Sequence, residues 1–278
     1  MPLRLMAVLA HPDDESLGCG GTLAKYAAEG VEVSLVTATR GQSGRFKGHR
    51  DPPEHPGKAA LARLRAEELR AAATALQVRD LVLFDYEDRD LDRAEPRRAI
   101  RRIAAELRRL RPQVVITFPP DGAYGHPDHI AISQFTTAAV VAAADPAFQV
   151  DAEGPPHAPH VVEKLYFMAW PEAIWRLYQH AFHEIVTRVD DGDRRVVAWP
   201  EWSITTEIDA RAYAGTVWRA VRCHASQIES YPNLPSLSVD EHATLWGRQC
   251  FYRAMSLVNG GRHRETDLFE GLREKAGR

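Results

Sequence analysis

The chain has 278 residues, of which 45% are hydrophobic, so it can bury a substantial core, and we interpret it as one domain. Its formal net charge of -3 comes from 35 Lys and Arg residues against 38 Asp and Glu residues, which provides no electrostatic footprint for nucleic acid or an anionic membrane. The three scattered cysteines do not suggest a disulfide framework. The N-terminus lacks the length and cleavage site of a signal peptide, and no segment is long and apolar enough to span a bilayer. We therefore expect a cytoplasmic protein.

Short apolar segments alternate with amphipathic ones over the first half of the chain. Strands are predicted at residues 3–10, 31–37, 80–84 and 114–118. Helices are predicted between them, after Ser16 as far as Gly30, and at residues 58–77 and 95–110. This alternation with short connections predicts an α/β fold, a Rossmann-like, mainly parallel sheet with helices on both faces.

The second half of the chain has a less regular pattern. Pro127 suits the first position of a helix that residues 130–144 continue, and a Pro-rich loop is predicted at residues 152–159. Strands are then predicted at residues 164–170 and 204–208, and helices at residues 210–229 and 239–258. We expect these elements to form a C-terminal α/β elaboration that caps one end of the sheet.

A polar cluster, AHPDDE at residues 10–15, directly follows the first predicted strand. Loops at the carboxyl ends of parallel strands form the ligand crevice of an open sheet. Histidine and carboxylate groups suit zinc, and the turn at Pro12 can bring His11 and Asp14 towards one point. Asp13 is then left to point at a water on the metal. The alternative is a capped helix start, which requires acidic residues but not His11.

A second polar cluster, DGAYGHPDH at residues 121–129, directly follows the strand predicted at residues 114–118. His126 and His129 are three residues apart at a helix start, so both can face one region. The alternative is a solvated, Pro-initiated helix end. Because both clusters follow the carboxyl ends of strands, we predict that they meet at the same rim of the sheet.

The two motifs together resemble the LmbE-like (PIG-L) zinc-dependent N-acetylglucosaminyl deacetylases, a family that includes the mycothiol and bacillithiol pathway deacetylases and the mycothiol-conjugate amidase. The resemblance covers most of the first 145 residues and continues more weakly afterwards. It implies a single LmbE-like domain over residues 1–278. Residues 1–145 would form the core with the metal site, and residues 146–278 would contribute to the substrate rim.

The resemblance also implies a role for each motif residue. The ligands of one Zn²⁺ per chain would be His11, Asp14 and His129. Asp13 would be the general base, His126 would stabilise the oxyanion or protonate the leaving amine, and Asp128 would orient His126. Amide hydrolysis needs an activated water, a polarised carbonyl and a proton for the departing nitrogen, and zinc can supply the first two.

Further positions match the family's substrate contacts. Arg65 resembles a clamp for a sugar or polar group, although a charged position on an exposed helix is the plainer interpretation. Tyr124 resembles a mobile tyrosine that reaches the acyl oxygen, with a packing role as the alternative. His224 and Gln227 resemble an element that closes over the substrate. Gln42 stands where several relatives carry a glutamate similar to a sugar-hydroxyl contact, which leaves the sugar open.

The sequence therefore favours a zinc-dependent hydrolase that removes an N-acetyl or other N-acyl group from a small-molecule amino sugar or its conjugate. Alternatives are an amidase of a thiol-sugar conjugate and a non-catalytic sugar-binding member of the same fold. A dinucleotide-binding domain is a third alternative because Gly18-Cys-Gly-Gly21 follows the first strand. The spacing is not Gly-x-Gly-x-x-Gly, and the acids at residues 13–15 would face a pyrophosphate. A homo-oligomer stays open.

Overall fold

The structure is a computed structural model that describes residues 2–150, 157–182, 186–189, 191–231 and 233–273. Its strands are β1 (Arg4–Leu9), β2 (Glu32–Thr39), β3 (Asp80–Tyr86), β4 (Val114–Thr117), β5 (Lys164–Ala169), β6 (Val186–Val189), β7 (Gly192–Arg195), β8 (Thr206–Asp209) and β9 (Arg248–Ser256). Its helices are α1 (Asp14–Ala28), α2 (Lys58–Ala75), α3 (Pro96–Leu110), α4 (Gly122–Gly125), α5 (Pro127–Ala144), α6 (Glu172–Phe182), α7 (Ala214–Cys223), α8 (Ala225–Ile228) and α9 (Val239–Gly247).

A seven-stranded sheet with the order β3-β2-β1-β4-β5-β9-β8 forms the centre of the fold. The strands from β3 to β5 are parallel, whereas β9 runs antiparallel to both β5 and β8. Every residue of β4 and β5 is buried, as expected for strands covered on both faces. The predicted mainly parallel α/β fold is confirmed.

The chain reverses its direction across the sheet between β1 and β4. It steps outward from β1 to β2 and β3, and then returns to β4 and β5 on the other side of β1. Right-handed crossovers then place α1 and α2 on one face and α3 and α5 on the other. The packing agrees, because α3 contacts α5 while α1 and α2 both contact α7. The carboxyl ends of β1 and β4 are therefore neighbours at the position where open α/β sheets bind ligands.

The C-terminal part differs from its prediction. The helix predicted at residues 239–258 is wrong beyond residue 247, because α9 ends there and the chain continues as β9. β9 pairs with β5 on one side and with β8 on the other, and such distant partners override a local helical pattern. The helix predicted at residues 210–229 is divided at His224 into α7 and α8.

Other elements of this part were absent from the prediction or differ in extent. The strand predicted at residues 204–208 is present as β8, whereas α6 and the β6-β7 hairpin were not predicted. The predicted Pro-rich loop at residues 152–159 falls largely outside the described residues. Across the part of the chain that is described, none of the helices has both the length and the apolar character required to cross a membrane.

Candidate active site

The two motifs meet at the carboxyl ends of β1 and β4. His11 directly follows β1, and His129 lies in the first turn of α5, which begins shortly after β4. The Nδ1 atom of His11 lies 3.2 Å from the Nε2 atom of His129. The two carboxylate oxygens of Asp14 lie 3.5 Å from these nitrogens, one from each. All three side chains are buried. The fold therefore brings together the three residues predicted as metal ligands.

The outer nitrogens of both rings already have partners. His11 Nε2 lies 3.0 Å from a carboxylate oxygen of Asp128 and 3.2 Å from one of Asp88, and both are acceptors only. His129 Nδ1 lies 3.3 Å from the carbonyl oxygen of Gly122. If each outer nitrogen donates its proton to these acceptors, the inner nitrogens face each other with lone pairs. Two facing lone pairs need a proton or a metal cation between them.

The spacing of these atoms fits a zinc ion. Donors at zinc's usual bond lengths of about 2.0–2.1 Å in a tetrahedron lie about 3.3 Å apart, close to the 3.2 and 3.5 Å separations of this site. The electrostatics also fit a cation. Burial alone would lower the pKa of His11, but Asp128, Asp14 and Asp88 raise it well above its ordinary value. Two imidazoles and one carboxylate therefore form a donor set suited to zinc.

Asp13 adjoins this donor set in a strained backbone conformation. Its φ of 106° lies in the left-handed region, where a non-glycine residue costs free energy. The backbone N–H of Asp13 donates to Glu15 Oε2 at 3.0 Å, and its carboxylate accepts from Arg65 Nη2 at 3.1 Å. Burial raises the pKa of Asp13 to about 6 although the Arg65 charge opposes the shift. Such a carboxylate suits proton transfer near neutral pH.

Glu15 is a fully buried carboxylate that the sequence prediction assigned no role. Besides the Asp13 N–H, it accepts a hydrogen bond from Ser16 Oγ at 2.5 Å and pairs with His224 Nε2 at 2.7 Å. His224 is buried as well and lies at the division between α7 and α8. It therefore lies behind the first motif, where it contacts Glu15, rather than over the substrate as expected.

Arg65 of α2 is buried and not on an exposed helix face. Its Nη1 atom donates to the carbonyl oxygen of Gly41 at 2.8 Å, and its Nη2 atom donates to the carbonyl oxygen of Pro12. Together with the Asp13 contact, these bonds join the loops that follow β1 and β2. Arg65 also lines the cavity described below, so it can act on both Asp13 and a ligand.

His126 precedes α5 and lines the cavity described below. Its Nδ1 atom accepts a hydrogen bond from the backbone N–H of Asp128 at 3.2 Å, which places the proton of the neutral ring on Nε2. Burial, then the charges of His129 and His11, lower the pKa of His126 to about 2. The ring is therefore a neutral hydrogen-bond donor. The Tyr124 ring packs edge-on against His126 and His129, at centroid distances of 5.9 and 5.2 Å.

Asp128 contacts His126 through its backbone and not through its carboxylate. That carboxylate is fully buried, and it contacts His11 Nε2 and accepts from the backbone N–H groups of Arg89 at 2.7 Å and Leu91 at 3.1 Å. Only the backbone N–H of Asp128 reaches His126. Asp128 therefore orients a predicted metal ligand and joins the second motif to the loop after β3.

Asp88 was missed by the sequence prediction. It follows β3, so the rule that located the other two clusters at carboxyl strand ends could have located it too. Its carboxylate contacts His11 Nε2 at 3.2 Å and accepts from the backbone N–H of Ser43 at 2.8 Å. Burial would raise the pKa of Asp88, but His11 and these contacts hold it well below its ordinary value.

The two predicted glutamine contacts have different surroundings. Gln227 lines the cavity, and its Nε2 atom donates to the carbonyl oxygen of Arg45 at 2.7 Å. Gln42 does not line it, because its Nε2 atom turns to Glu87 Oε2 at 3.0 Å. The role of Gln42 towards a sugar therefore stays a prediction.

The motif residues open into a cavity of about 1230 Å³ that spans the rim of the sheet. One part of its wall is aromatic and comprises Phe118, Trp170, Trp175, Tyr178, Phe182 and Tyr231. Phe118 stacks on His129 with a centroid distance of 3.8 Å, so this aromatic wall begins directly at the predicted metal ligands. The cavity is larger than most small-molecule sites, which measure about 300–1,000 Å³.

Known structures share the fold. The chain aligns with the N,N'-diacetylchitobiose deacetylase from Pyrococcus horikoshii with a TM-score of 0.64, 20% identity, and coverage of 90% of this chain and 83% of that chain. It aligns similarly with the 4-carboxy-2-hydroxymuconate hydratase from Pseudomonas putida KT2440, with a TM-score of 0.63, 18% identity, and coverage of 93% and 99%. Since the two names describe different reactions, this likeness shows the fold and leaves the reaction open.

Sequence comparison is more specific. Residues 6–140 match the PIG-L family, which is described as GlcNAc-PI de-N-acetylase. The chain is 35% identical to the 1D-myo-inositol 2-acetamido-2-deoxy-alpha-D-glucopyranoside deacetylase of Streptomyces griseus subsp. griseus, over 97% of this chain and 89% of the relative. A match of this extent covers both motifs and the C-terminal part, and the chain belongs to the PIG-L (LmbE-like) family of deacetylases.

Proposed function

We propose that the chain is a zinc-dependent hydrolase that removes the N-acetyl group of an amino sugar or amino-sugar conjugate. The observation that carries the proposal is the pair of facing nitrogens of His11 and His129 beside the Asp14 carboxylate, with Asp13 next to them. The named activity of the Streptomyces griseus relative, deacetylation of a 2-acetamido-2-deoxyglucopyranoside of myo-inositol, supports the same reaction here.

Zinc held by His11, Asp14 and His129 would lower the pKa of a water to about 7 and polarise the acyl carbonyl. Asp13 accepts the proton of the attacking water, since a carboxylate with a pKa of about 6 is ionised at neutral pH and still basic. The same proton then passes from Asp13 to the departing amine nitrogen.

The remaining residues stabilise charge and hold the substrate. Neutral His126 donates a hydrogen bond from Nε2 to the carbonyl oxygen as negative charge develops there. Tyr124 and Gln227 line the cavity and would contact the acyl group and the sugar. Arg65 keeps the Asp13 carboxylate in place through its 3.1 Å contact.

The test combines metal analysis with an assay of acetate release from 2-acetamido-2-deoxyglucosides. We expect an Asp13→Asn variant to retain zinc and to lose at least about 100-fold in kcat, the usual contribution of a general base. A His129→Ala variant should lose zinc while circular dichroism shows an intact fold. Asp85→Asn is the matched control. It changes an exposed carboxylate of β3 that pairs with Arg102, and the variant should keep both zinc and activity.

Two results would count against the proposal. Full activity of Asp13→Asn would show that Asp13 is not the general base. Activity that survives complete removal of metal would show that the reaction does not need zinc. The substrate series should include a thiol-sugar conjugate, because cleavage of that amide alone would identify the amidase alternative. Binding of sugars without release of acetate would identify a non-catalytic sugar-binding protein.

A further inference from the structure

The backbone of Asp13 is held by a neighbouring side chain. Asp13 directly precedes α1, yet its own side chain makes no capping hydrogen bond, and its φ of 106° costs free energy. Such a conformation persists only where the surrounding groups hold it. The backbone N–H of Asp13 donates to Glu15 Oε2 at 3.0 Å, while the Asp13 side chain lines the cavity. Glu15 therefore holds the backbone from which the Asp13 carboxylate projects.

Glu15 in turn needs partners of its own, because it is fully buried and does not line the cavity. A buried carboxylate is stable only when it is hydrogen-bonded or paired. Its other oxygen, Oε1, accepts from Ser16 Oγ at 2.5 Å and lies 2.7 Å from His224 Nε2. Ser16 is adjacent in sequence, whereas His224 is 209 residues away. The C-terminal part of the chain thus reaches Glu15 through His224.

His224 contacts Glu15 through one of its two ring nitrogens. Because a carboxylate only accepts, Nε2 carries the proton and donates it to Glu15. The Nδ1 atom has no hydrogen-bond partner within the described ranges. An apolar side chain of similar size would fill the same buried space, so the Nε2 hydrogen bond is what a histidine adds at this position.

The position of His224 is fixed by the elements around it. It lies at the division between α7 and α8, and α7 contacts both α1 and α2. Two residues later, Ser226 donates from its backbone N–H and from its hydroxyl to the Glu68 carboxylate, both at 2.7 Å. Glu68 belongs to α2, three residues after Arg65. The junction of α7 and α8 is therefore bonded to both helices that contribute contacts to Asp13.

We infer that His224 is a positioning residue, which acts through Glu15 to hold Asp13 in the conformation that directs its carboxylate into the cavity. The inference rests on the proposed function, in which Asp13 is the general base. It goes beyond that function because neither His224 nor Glu15 lines the cavity where the substrate would bind. It also gives the C-terminal part of the chain a role in the reaction step and not only in the substrate rim.

Two replacements of His224 differ mainly in the reach of a side-chain amide. In His224→Gln the amide nitrogen lies about as far along the side chain as Nε2 and can donate to Glu15. In His224→Asn it takes the place of Nδ1 and cannot. We expect His224→Asn to lower kcat by about 10- to 100-fold, as a displacement of a catalytic group by up to about 1 Å does. Bound zinc and KM should not change, and His224→Gln should keep most of the wild-type kcat.

His160→Asn is the matched control for the loss of a buried histidine. His160 is also buried, and its Nε2 atom lies 2.7 Å from the carbonyl oxygen of Pro112, away from the cavity. The control variant should be less stable to urea than the wild type and should keep its kcat.

A double variant shows whether the effect passes through Asp13. Adding His224→Asn to Asp13→Asn should lower kcat no further, because the carboxylate that His224 positions is already missing. A purely structural contribution would lower the residual rate again. The inference would be overturned by equal additional losses in both backgrounds, by loss of zinc from His224→Asn, or by a wild-type kcat in that variant. Glu15→Gln, which replaces one accepting oxygen, should show the same pattern and serves if His224→Asn does not fold.

Hydrogen exchange of the Asp13 amide needs no substrate, so it separates this inference from the proposed function. The amide should exchange faster in His224→Asn than in His224→Gln or the wild type. If it does while Asp13→Asn keeps full activity, the positioning of Asp13 stands and the general-base proposal fails. If Asp13→Asn loses activity but His224→Asn matches the wild type in both exchange and kcat, the deacetylase proposal stands and the positioning role is refuted.

Discussion

The loop after β2 is built around the guanidinium group of Arg65. Gly41 has a φ of +63°, and a Cβ atom on it would collide with Arg65 Nη1. The absence of a side chain at Gly41 therefore lets Arg65 approach both its carbonyl oxygen and the Asp13 carboxylate. In this way Gly41, which does not line the cavity, helps to determine the position of the proposed general base.

A Gly41→Ala variant should lose both stability and activity. Gly30 offers a matched control because it also has a positive φ, +82°, but has open space where a Cβ would lie. Gly30→Ala should lower the free energy of unfolding by only about 1–2 kcal/mol, the cost of the left-handed conformation. Gly41→Ala should cost more and also reduce kcat. Urea unfolding measures the loss of stability and steady-state kinetics measures kcat. Equal losses in the two variants would contradict the role of Arg65.

The sequence predicted most residues of the candidate site and the meeting of the two motifs, but not the contacts of Asp88 and of the Asp128 carboxylate. His11, Asp14 and His129 could be found because each belongs to a motif that follows a strand. The same rule leads to the segment after β3 but does not single out Asp88, since no histidine accompanies it and Glu87, Asp90 and Asp92 are other acids of that segment. The partner of the Asp128 carboxylate depends on how three separate loops pack, which no local pattern records.

At the scale of elements, the parallel half of the sheet was predictable and the antiparallel half was not. β1 to β5 are short apolar segments, and their length together with the pattern of the segments around them identifies them as strands. The segment that forms β9 directly follows a helix, with no turn residue after Gly247 to mark the change. Its strand conformation comes from pairing with β5 and β8, far away in sequence.

The start of α9 provides a test of its local stability. Ser238 Oγ accepts from the backbone N–H of Glu241, whose carboxylate accepts from the backbone N–H of Ser238, forming a capping box. Ser238→Ala should therefore lower the free energy of unfolding by about 1 kcal/mol. Ser236→Ala, which removes an exposed hydroxyl outside the cap, should have little effect. The urea midpoints of the two variants and the wild type measure the difference. Equal midpoints for Ser238→Ala and Ser236→Ala would show that the capping box adds no stability.

At the scale of the whole molecule, one buried acid joins the sheet to the C-terminal segment. Glu265 is fully buried, and its carboxylate contacts Lys164 Nζ at 2.6 Å, Arg253 Nη1 at 2.9 Å and the Tyr166 hydroxyl at 2.7 Å. These partners belong to β5 and β9. Burial would raise the pKa of Glu265, but Lys164 and neighbouring hydrogen-bond donors lower it to about 2.

This lowered pKa predicts that the stability of the fold depends on pH. Because the pKa of Glu265 is lower in the folded state, its contribution is complete above the ordinary value of 4.5 and is lost as the pH falls towards about 2. Glu265→Gln leaves Lys164 without its counter-charge and should cost about 3–5 kcal/mol at neutral pH. The difference from wild type should shrink between pH 4.5 and 2.

Urea unfolding over this range of pH measures the difference. Glu207→Gln is the control, because Glu207 pairs with Arg248 near the surface and such a pair contributes only about 0–1 kcal/mol. A Glu265→Gln variant that matches this control at neutral pH would show that the buried contacts add no net stability.

We propose that residues 1–278 form one domain, since β5, β8 and β9 complete the sheet that β1 to β4 begin. The sheet order also bears on how the chain is made. As it leaves the ribosome, both histidine motifs emerge before β5, the neighbour that β4 needs on its open side. Until then the apolar β4 exposes unpaired backbone groups, the kind of surface that aggregates. A fragment that stops at residue 145 should therefore carry every proposed metal ligand and yet be insoluble.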